Sequence, residues 1–440
     1  MSTLSPARRA AVLIGRVVRE RSAYTSEVAH TLLNKATSLN PADRAFAMKL
    51  ALGVTSTIGT LDEVINRSLR KPDDITPEVR DAMRVSTYEI IFLGKQNHAA
   101  VDQGVELVRS VAPKAAGLAN AVLRKIAQSG ESFPYGNPAI NNQALARQYA
   151  FPLWLAKRLM GDLGRDEAIE FMKASNTDAP IFIAENLCAD KQVDFDTLCA
   201  EEACEVTAGV EGCYALKDSS ALKKDILADG LRSGACVVSD EAAQRVAQFV
   251  LPEKCPESFL EIGCGRGTKT ILLQSNALRK YGTQMPMTSI DDHQFKVDMV
   301  KKRTAACGVR LDEALVVDAT KMKGAFEGRT FDAVFIDAPC SGVGTLRRHP
   351  EIRWKLSQKD VLMLAELGLN MLHEAAQYVA VGGELTFATC TVLKEENDQT
   401  IDRFLRSQVG EAFKVVETMA TSLTENGPDA HFAVKFVRTR

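Results

Sequence analysis

Nowhere does the chain contain a run of eighteen apolar residues, so no membrane-spanning helix of ordinary length is expected. The opening stretch, Met1-Ser2-Thr3-Leu4-Ser5-Pro6-Ala7-Arg8-Arg9, lacks the apolar core of a secretory signal and runs into an amphipathic helix pattern. A cytoplasmic location follows as the expectation. Paired cysteine spacing is absent too. The ten cysteines include no Cys-x-x-Cys, and no histidine lies among Cys188, Cys199, Cys204 and Cys213, so neither a disulfide framework nor a metal site is expected. Net charge is nearly absent at -2, which by itself points to no polyanion. Its distribution is uneven, because residues 1–130 hold 18 Lys+Arg against 12 Asp+Glu, a weak hint of phosphate contact in that part.

What is present is an ordinary globular composition, 46% apolar and 25% charged, on 440 residues, too long for one core. Residues 5–130 read as all helix. Apolar residues recur at helical spacing in Ala10–Ile14 with Val17-Val18, in Phe46-Ala47 with Leu50-Ala51-Leu52, and in Leu61 with Val64-Ile65 and Leu69. Breaks are expected at Asn40-Pro41, Lys71-Pro72-Asp73-Asp74 and Ala112-Pro113, giving a bundle of six or seven short helices. Residues 131–142, with two prolines, a glycine and three asparagines, read as a linker. Residues 143–238 read as a small α+β subdomain, and 239–440 alternate strand and helix patterns, the signature of a doubly wound parallel sheet.

In that last segment Phe259–Ile262 reads as a buried strand, followed by Gly263-Cys264-Gly265-Arg266-Gly267-Thr268-Lys269 turning into a helix. A glycine-rich turn lets backbone approach a ligand, and Asp291, at the end of the next strand, can take ribose hydroxyls. That pattern alone suits NAD or S-adenosylmethionine. Asp318, after a third strand, can meet an adenine amino group, and the spacing lacks the last glycine of the dinucleotide fingerprint, which favours S-adenosylmethionine. Two more strands end in thiols: Ala333–Ile336 before Asp337-Ala338-Pro339-Cys340-Ser341-Gly342, and Gly383–Phe387 before Ala388-Thr389-Cys390-Thr391. Both cysteines could be buried packing residues. Yet Pro339 and Ser341-Gly342 mark a turn that exposes a thiol, and strand C-terminal ends are where such sheets bind ligands. Two thiols there suit pyrimidine chemistry, in which one adds to C6 of cytosine and a second group removes the C5 proton.

Residues 1–130 resemble the NusB-like RNA-binding domain through Asp43–Ala47 leading to Gly53-Val54, Arg84–Leu93, His98–Val101 and Leu118–Ile126, with Tyr88 and His98 expected in the core. Phe259–Leu273, Ile290-Asp291, Phe331–Trp354 and Phe387–Asn397 resemble the RNA cytosine-5 methyltransferase family. The resemblance covers nearly the whole chain and implies an all-α NusB-like bundle, a small α+β subdomain and a Rossmann-like methyltransferase domain. It also implies transfer of a methyl group from S-adenosylmethionine to C5 of a cytidine in small-subunit (16S) ribosomal RNA, by a monomer. In that likeness Cys390 is the nucleophile, Cys340 assists proton removal and release, Asp337 holds the N3/N4 edge of the base, and Lys269 lies near the reacting groups. Residues 263–269 with Asp291, Asp318 and Asp337 would hold the cofactor, and Arg347, Arg348 and His349 would meet RNA phosphates. The chain departs from the family at Thr268, where relatives carry glycine, at Ala184, where they carry arginine, and at Asp429-Ala430-His431-Phe432. Two other readings are an RNA-binding assembly factor with a silent catalytic half and a DNA cytosine methyltransferase; the second has no need of Cys390.

Overall fold

The computed structural model describes residues 4–21, 23–94 and 97–440. Residues 1–3, 22, 95 and 96 lie outside the described residues, the last three of them in the stretch expected to be helical. The chain divides into two compact units, the first made of Met1–Thr177 with Leu346–Leu356 and the second of Asp178–Thr345 with Ser357–Arg440.

The first unit is helical: α1 (Pro6–Arg21), α2 (Thr25–Lys35), α3 (Pro41–Ser68), α4 (Pro77–Ile91), α5 (Asn97–Val111), α6 (Ala116–Ser129), α7 (Asn142–Gln148), α8 (Leu153–Leu163) and α9 (Arg165–Ala174). Local chemistry sets the ends. The Asn40 side chain accepts the Asp43 N–H with Pro41 in the first turn, so α3 starts where the sequence places a break. Leu50, Leu61, Ile65, Met83, Val108, Leu123 and Ile126 fill the core between α3, α4, α5 and α6. Arg8 on α1 makes two hydrogen bonds, of 2.8 and 2.7 Å, to the buried Glu89 carboxylate on α4. Tyr88, expected in the core, is partly buried against it and packs over Gly53, whereas His98 is exposed rather than in the core. The stretch read as a linker is laid against the bundle, with Phe133 5.5 Å from Phe92 and Arg67 4.8 Å above the Tyr135 ring. Helices α7, α8 and α9, which the sequence reading puts in the α+β subdomain, cluster with this unit.

The segment Leu346–Leu356 is also seated here. Trp354 donates its indole N–H to Ser56 O at 2.8 Å, and its ring lies where a side chain on Gly59 would be. Glu351 accepts the Thr25 N–H at 2.9 Å. Arg353, 0% exposed, sits 4.3 Å over the Phe151 ring and donates to Asn176 Oδ1 at 2.8 Å and Ser175 O at 3.0 Å.

The second unit holds two sheets. Strands β1 (Phe182–Glu185), β2 (Cys204–Val206), β3 (Cys213–Leu216) and β4 (Cys236–Val238) form an antiparallel sheet in the order β2-β3-β1-β4. The larger sheet contains β5 (Phe259–Ile262), β6 (Met287–Asp291), β7 (Glu313–Val316), β8 (Phe331–Asp337), β9 (Val379–Thr389), β10 (Phe413–Ala420) and β11 (Phe432–Arg438), ordered β10-β11-β9-β8-β5-β6-β7. Its five strands from β7 to β9 are parallel, but β11 runs antiparallel to β9 and β10 to β11. The sheet is therefore mixed, not wholly parallel, because the last two strands form a hairpin across residues 421–431. Strand β5 is buried along its whole length, as a central strand covered on both faces must be. The chain winds from β5 outward through β6 and β7 on one side and through β8 and β9 on the other. This leaves a crevice at the carboxyl ends of β5 and β8. No helix among the described residues is long and apolar enough to cross a membrane.

Candidate active site

Parallel pairing of β8 with β9 sets Asp337 opposite Ala388, and the Ala338 N–H bonds Ala388 O at 2.9 Å. The chain continues three residues from Asp337 to Cys340 and two from Ala388 to Cys390, so both thiols emerge from adjacent strand ends. Their sulfurs are 3.1 Å apart, close enough for one S–H to donate to the other sulfur, and the Cys390 N–H donates to Cys340 Sγ at 3.2 Å. Both are free thiols and half-buried. The hydrogen bond with Cys390, burial, and the nearby charges of Cys390 and Glu396 hold the Cys340 thiol well above its ordinary range.

Lys269 lies in the first turn of the helix Thr268–Tyr281, and its ammonium donates to Asp337 Oδ2 at 2.7 Å, the two side chains being 18% and 29% exposed. Burial works against the ammonium charge, but Asp337, by charge and hydrogen bond, outweighs it with smaller help from the two thiols, so Lys269 is held above its usual value. A cation, a carboxylate and two sulfurs thus meet at the mouth of the crevice.

Three segments are stitched around the thiols. Gly344 donates its N–H to Cys390 O at 2.9 Å and accepts the Ala430 N–H at 3.0 Å, an approach that leaves no room for a side chain at 344. Glu396 accepts from the Ser341 N–H and hydroxyl, both at 2.6 Å. Asn397 accepts the Thr389 hydroxyl at 2.6 Å and donates to Thr391 O at 2.9 Å. Gly344, Glu396 and Asn397 are not among the candidate residues read from the sequence, and Ser341 is read only as part of a turn; the adjacent acids Glu395-Glu396 after a strand end are the signal for them.

The glycine loop turns at the carboxyl end of β5. Gly263 (φ +86°) is left-handed, and a β-carbon there would stand 2.6 Å from Asp337 O. Around Gly265 the backbone is open, with only Gly263 O within 4 Å of such an atom. The Gly265 N–H donates to Asp291 Oδ2 at 3.0 Å, while Asp291 Oδ1 lies 3.0 Å from Lys296 Nζ. Among the expected loop residues, Cys264 turns its side chain into the core beside Val297 and Val300, which leaves only its backbone for a ligand. Arg303 donates to Arg266 O at 3.0 Å and to the Thr268 hydroxyl at 2.8 Å, so the residue that departs from the family pattern is tied into the loop. Asp318 is exposed on its side chain, and hydrogen bonds from the Thr320 hydroxyl and N–H hold its carboxyl below the ordinary range. An open glycine backbone at a helix start, with acids at the next two strand ends, fits a cofactor that offers hydroxyl, amino and carboxylate groups, as S-adenosylmethionine does. Asp291 also stands with Asp292 and His293 in a group of three groups able to ligate a metal, but Lys296 already pairs with both carboxylates.

Arg347, Arg348 and His349 belong to the first unit, not to the unit that carries the thiols. Arg347 is 7% exposed, Arg348 and His349 are half-buried, and the His349 ring meets Tyr24 at 5.2 Å, its pKa lowered by burial.

Comparison with known proteins agrees with this construction. The family model for 16S rRNA methyltransferase RsmB/F matches residues 248–436, and that of the NusB family matches residues 5–128. A putative methyltransferase of Mycobacterium tuberculosis is 32% identical over 401 residues, covering 88% of this chain and 84% of that protein. The probable ribosomal RNA small subunit methyltransferase B of Bacillus subtilis is 28% identical over 395 residues, covering 88% of this chain and 86% of the relative. Among solved structures, PH0851 matches with a TM-score of 0.80 at 22% identity, covering 100% of both chains. NSun6 from Pyrococcus horikoshii, solved with SFG, matches with a TM-score of 0.56 at 13% identity over 66% of this chain and 99% of its own. The chain belongs to the RsmB/F family of S-adenosylmethionine-dependent methyltransferases, with a NusB-family domain preceding the catalytic one.

Proposed function

We propose that this protein methylates C5 of a cytidine in small-subunit ribosomal RNA through a covalent bond between Cys390 and C6 of the base. The observation that carries the reading is the pair of free sulfurs 3.1 Å apart beside the Lys269–Asp337 ion pair. The relatives whose names specify small-subunit ribosomal RNA support the substrate class.

Cys390, as a thiolate, bonds to C6, and the C5–C6 π electrons move toward C5. Lys269 favours the thiolate by its charge, and Asp337 faces the N3/N4 edge, holding the ring while charge builds on it. S-adenosylmethionine, when bound, would supply the methyl group from its sulfonium to C5 and be left as a neutral thioether. The C5 proton must then leave. Cys340, having lost its resting proton to solvent, takes it as a thiolate. The electrons of that C–H bond restore the C5–C6 double bond, and the C6–S bond breaks with its pair returning to Cys390. One proton is released overall and both cysteines end as they began. The cytosine must stand out of a stacked helix to reach these sulfurs, which favours a loop or bulge in the RNA.

The test incubates the protein with labelled cofactor and unmethylated small-subunit ribosomal RNA, then maps methylcytosine by bisulfite sequencing. Cys390→Ala is expected to lose product and adduct, and Cys340→Ala to accumulate a protein–RNA adduct. An adduct formed by Cys390→Ala would reverse the assignment, and methylation at a position other than cytosine C5 would refute it.

A further inference from the structure

Behind the two thiols lies a carboxyl group with no part in the steps above. Glu396 is 2% exposed, yet it points into the loop that carries Cys340 rather than to solvent. Its Oε1 accepts the Ser341 N–H and its Oε2 the Ser341 hydroxyl, each at 2.6 Å. That same hydroxyl lies 2.9 Å from Thr391 Oγ1. Ser341 follows Cys340 and Thr391 follows Cys390, so one carboxyl grips the neighbour of the first thiol by two hydrogen bonds and also takes one from the side chain of the neighbour of the second. The contact spans 55 residues of sequence and is buried at both ends.

Burying a carboxyl is costly unless strong hydrogen bonds compensate. The pressure of burial is visible in Glu396 itself, whose pKa is raised despite the hydrogen bonds from Ser341 and Thr391. An apolar residue would fill the space at lower cost but could not hold a serine backbone and hydroxyl together. The other stitches around the site bear on different atoms. Gly344, three residues beyond Ser341, holds Cys390 O, and Asn397 braces the Cys390 loop from within, so neither bonds Ser341 itself.

We propose that Glu396 is a positioning residue: by pinning Ser341 it keeps the Cys340 sulfur in contact with Cys390, and so governs release of the methylated base without touching substrate. This rests on the covalent reading given above. Glu396 acts chiefly on the second half of the cycle because two of its hydrogen bonds are to Ser341, the residue next to the thiol that takes the C5 proton. Attack by Cys390 requires only that its own loop be held.

The experiment compares full-length wild type, Cys340→Ala, Glu396→Ala, Glu396→Gln, Ser341→Ala and the Cys340→Ala/Glu396→Ala double variant. Each is given S-adenosylmethionine and unmethylated small-subunit ribosomal RNA. Covalent protein–RNA species and free methylated product are quantified side by side, with cofactor affinity measured by calorimetry. Glu396→Ala and Ser341→Ala are both expected to raise the adduct-to-product ratio about tenfold and lower kcat by a similar factor, with KM for RNA and cofactor affinity within about twofold of wild type. Glu396→Gln keeps an oxygen for the Ser341 N–H and is expected to fall between. The double variant should match Cys340→Ala alone, since nothing remains to be positioned. If Cys340→Ala traps adduct but either single variant keeps the wild-type ratio, or loses adduct and product together at unchanged cofactor affinity, Glu396 has no such role. If Cys340→Ala traps none, the covalent reading falls and this proposal with it. Should Glu396→Ala fail to fold, seen as lost cofactor binding, Ser341→Ala, which removes one hydroxyl, decides alone.

Discussion

Replacing Glu261 with glutamine isolates what one buried carboxyl does to the stability of the central strand. Glu261 lies on β5 and is 0% exposed; its Oε2 accepts the Thr270 and Ser289 hydroxyls at 2.8 and 2.7 Å, while Oε1 has no hydrogen-bond partner among the described residues. Burial pushes its pKa from 4.5 up to about 7, against the pull of the two hydroxyls. The sign follows from proton binding. Below 4.5 both folded and unfolded chains hold the proton, so the contribution is flat. Between 4.5 and about 7 the unfolded chain has lost it and the folded chain has kept it, so stability falls as pH rises by about 1.4 kcal/mol per unit, reaching about 3 kcal/mol. Above about 7 it is flat again. Glutamine does not titrate. Its amide would leave N–H groups where Oε1 stands, at a cost of about 1–3 kcal/mol, but that cost is the same at every pH and cancels. Urea unfolding of both proteins at about pH 5 and 8, followed by circular dichroism, gives the double difference, in which all other titrating groups cancel. We expect the wild type to lose about 2–3 kcal/mol more than Glu261→Gln between those conditions. A double difference below about 0.5 kcal/mol, or one of opposite sign, would refute the reasoning.

Three more outcomes are expected. Cys390 ceases to act on Cys340 once it is bonded to the base, but burial and the Glu396 charge still raise the Cys340 thiol, so it is a base only after losing its proton. Single-turnover decay of the RNA adduct should therefore quicken with pH, by up to about tenfold per unit between about 7 and 9, and a flat profile would remove Cys340 from that step. Gly59→Ala sets a methyl group into the Trp354 ring, so it should cost about 1–3 kcal/mol and shift tryptophan emission, with an unchanged melt counting against the packing described. Arg353→Met fills much of the same volume but strands Ser175 O and Asn176 Oδ1 without their donor, for a loss of about 2–4 kcal/mol by thermal melt, and a neutral result would mean the cation contributes nothing there.

Much of the fold was legible because its signals are local. Asn40-Pro41 caps α3 where the pattern broke, and Phe259–Ile262 is β5 as read. Strands β6 and β8 likewise end at Asp291 and Asp337, so the acids and thiols could be placed on strand tips in advance. The closing hairpin was not legible: β10 is exposed along most of its length and shows no alternation, and its pairing with β11 depends on the partner strand. Likewise, the motif Arg347–Trp354 reads as a basic loop beside a catalytic turn. Only tertiary context turns Arg353 and Trp354 into buried anchors of the helical unit, because burial of a charged side chain depends on carbonyls 177 or more residues away. At the site, residue types revealed which groups could react. They did not reveal Glu396, nor any role for Ser341 beyond the turn, because that significance lies in a hydrogen bond rather than in a spacing.

The excursion of residues 346–356 into the helical unit means that the polypeptide passes between the two units three times, at 177/178, 345/346 and 356/357. Neither half is therefore a detachable cassette. A fragment starting at 178 would carry the indole of Trp354 and the guanidinium of Arg353 with nowhere to go. A fragment ending at 177 would keep an empty notch above Gly59 and an unanswered Thr25 amide. Anyone wishing to express the halves apart would first have to exchange that eleven-residue peg for a short glycine-serine bridge.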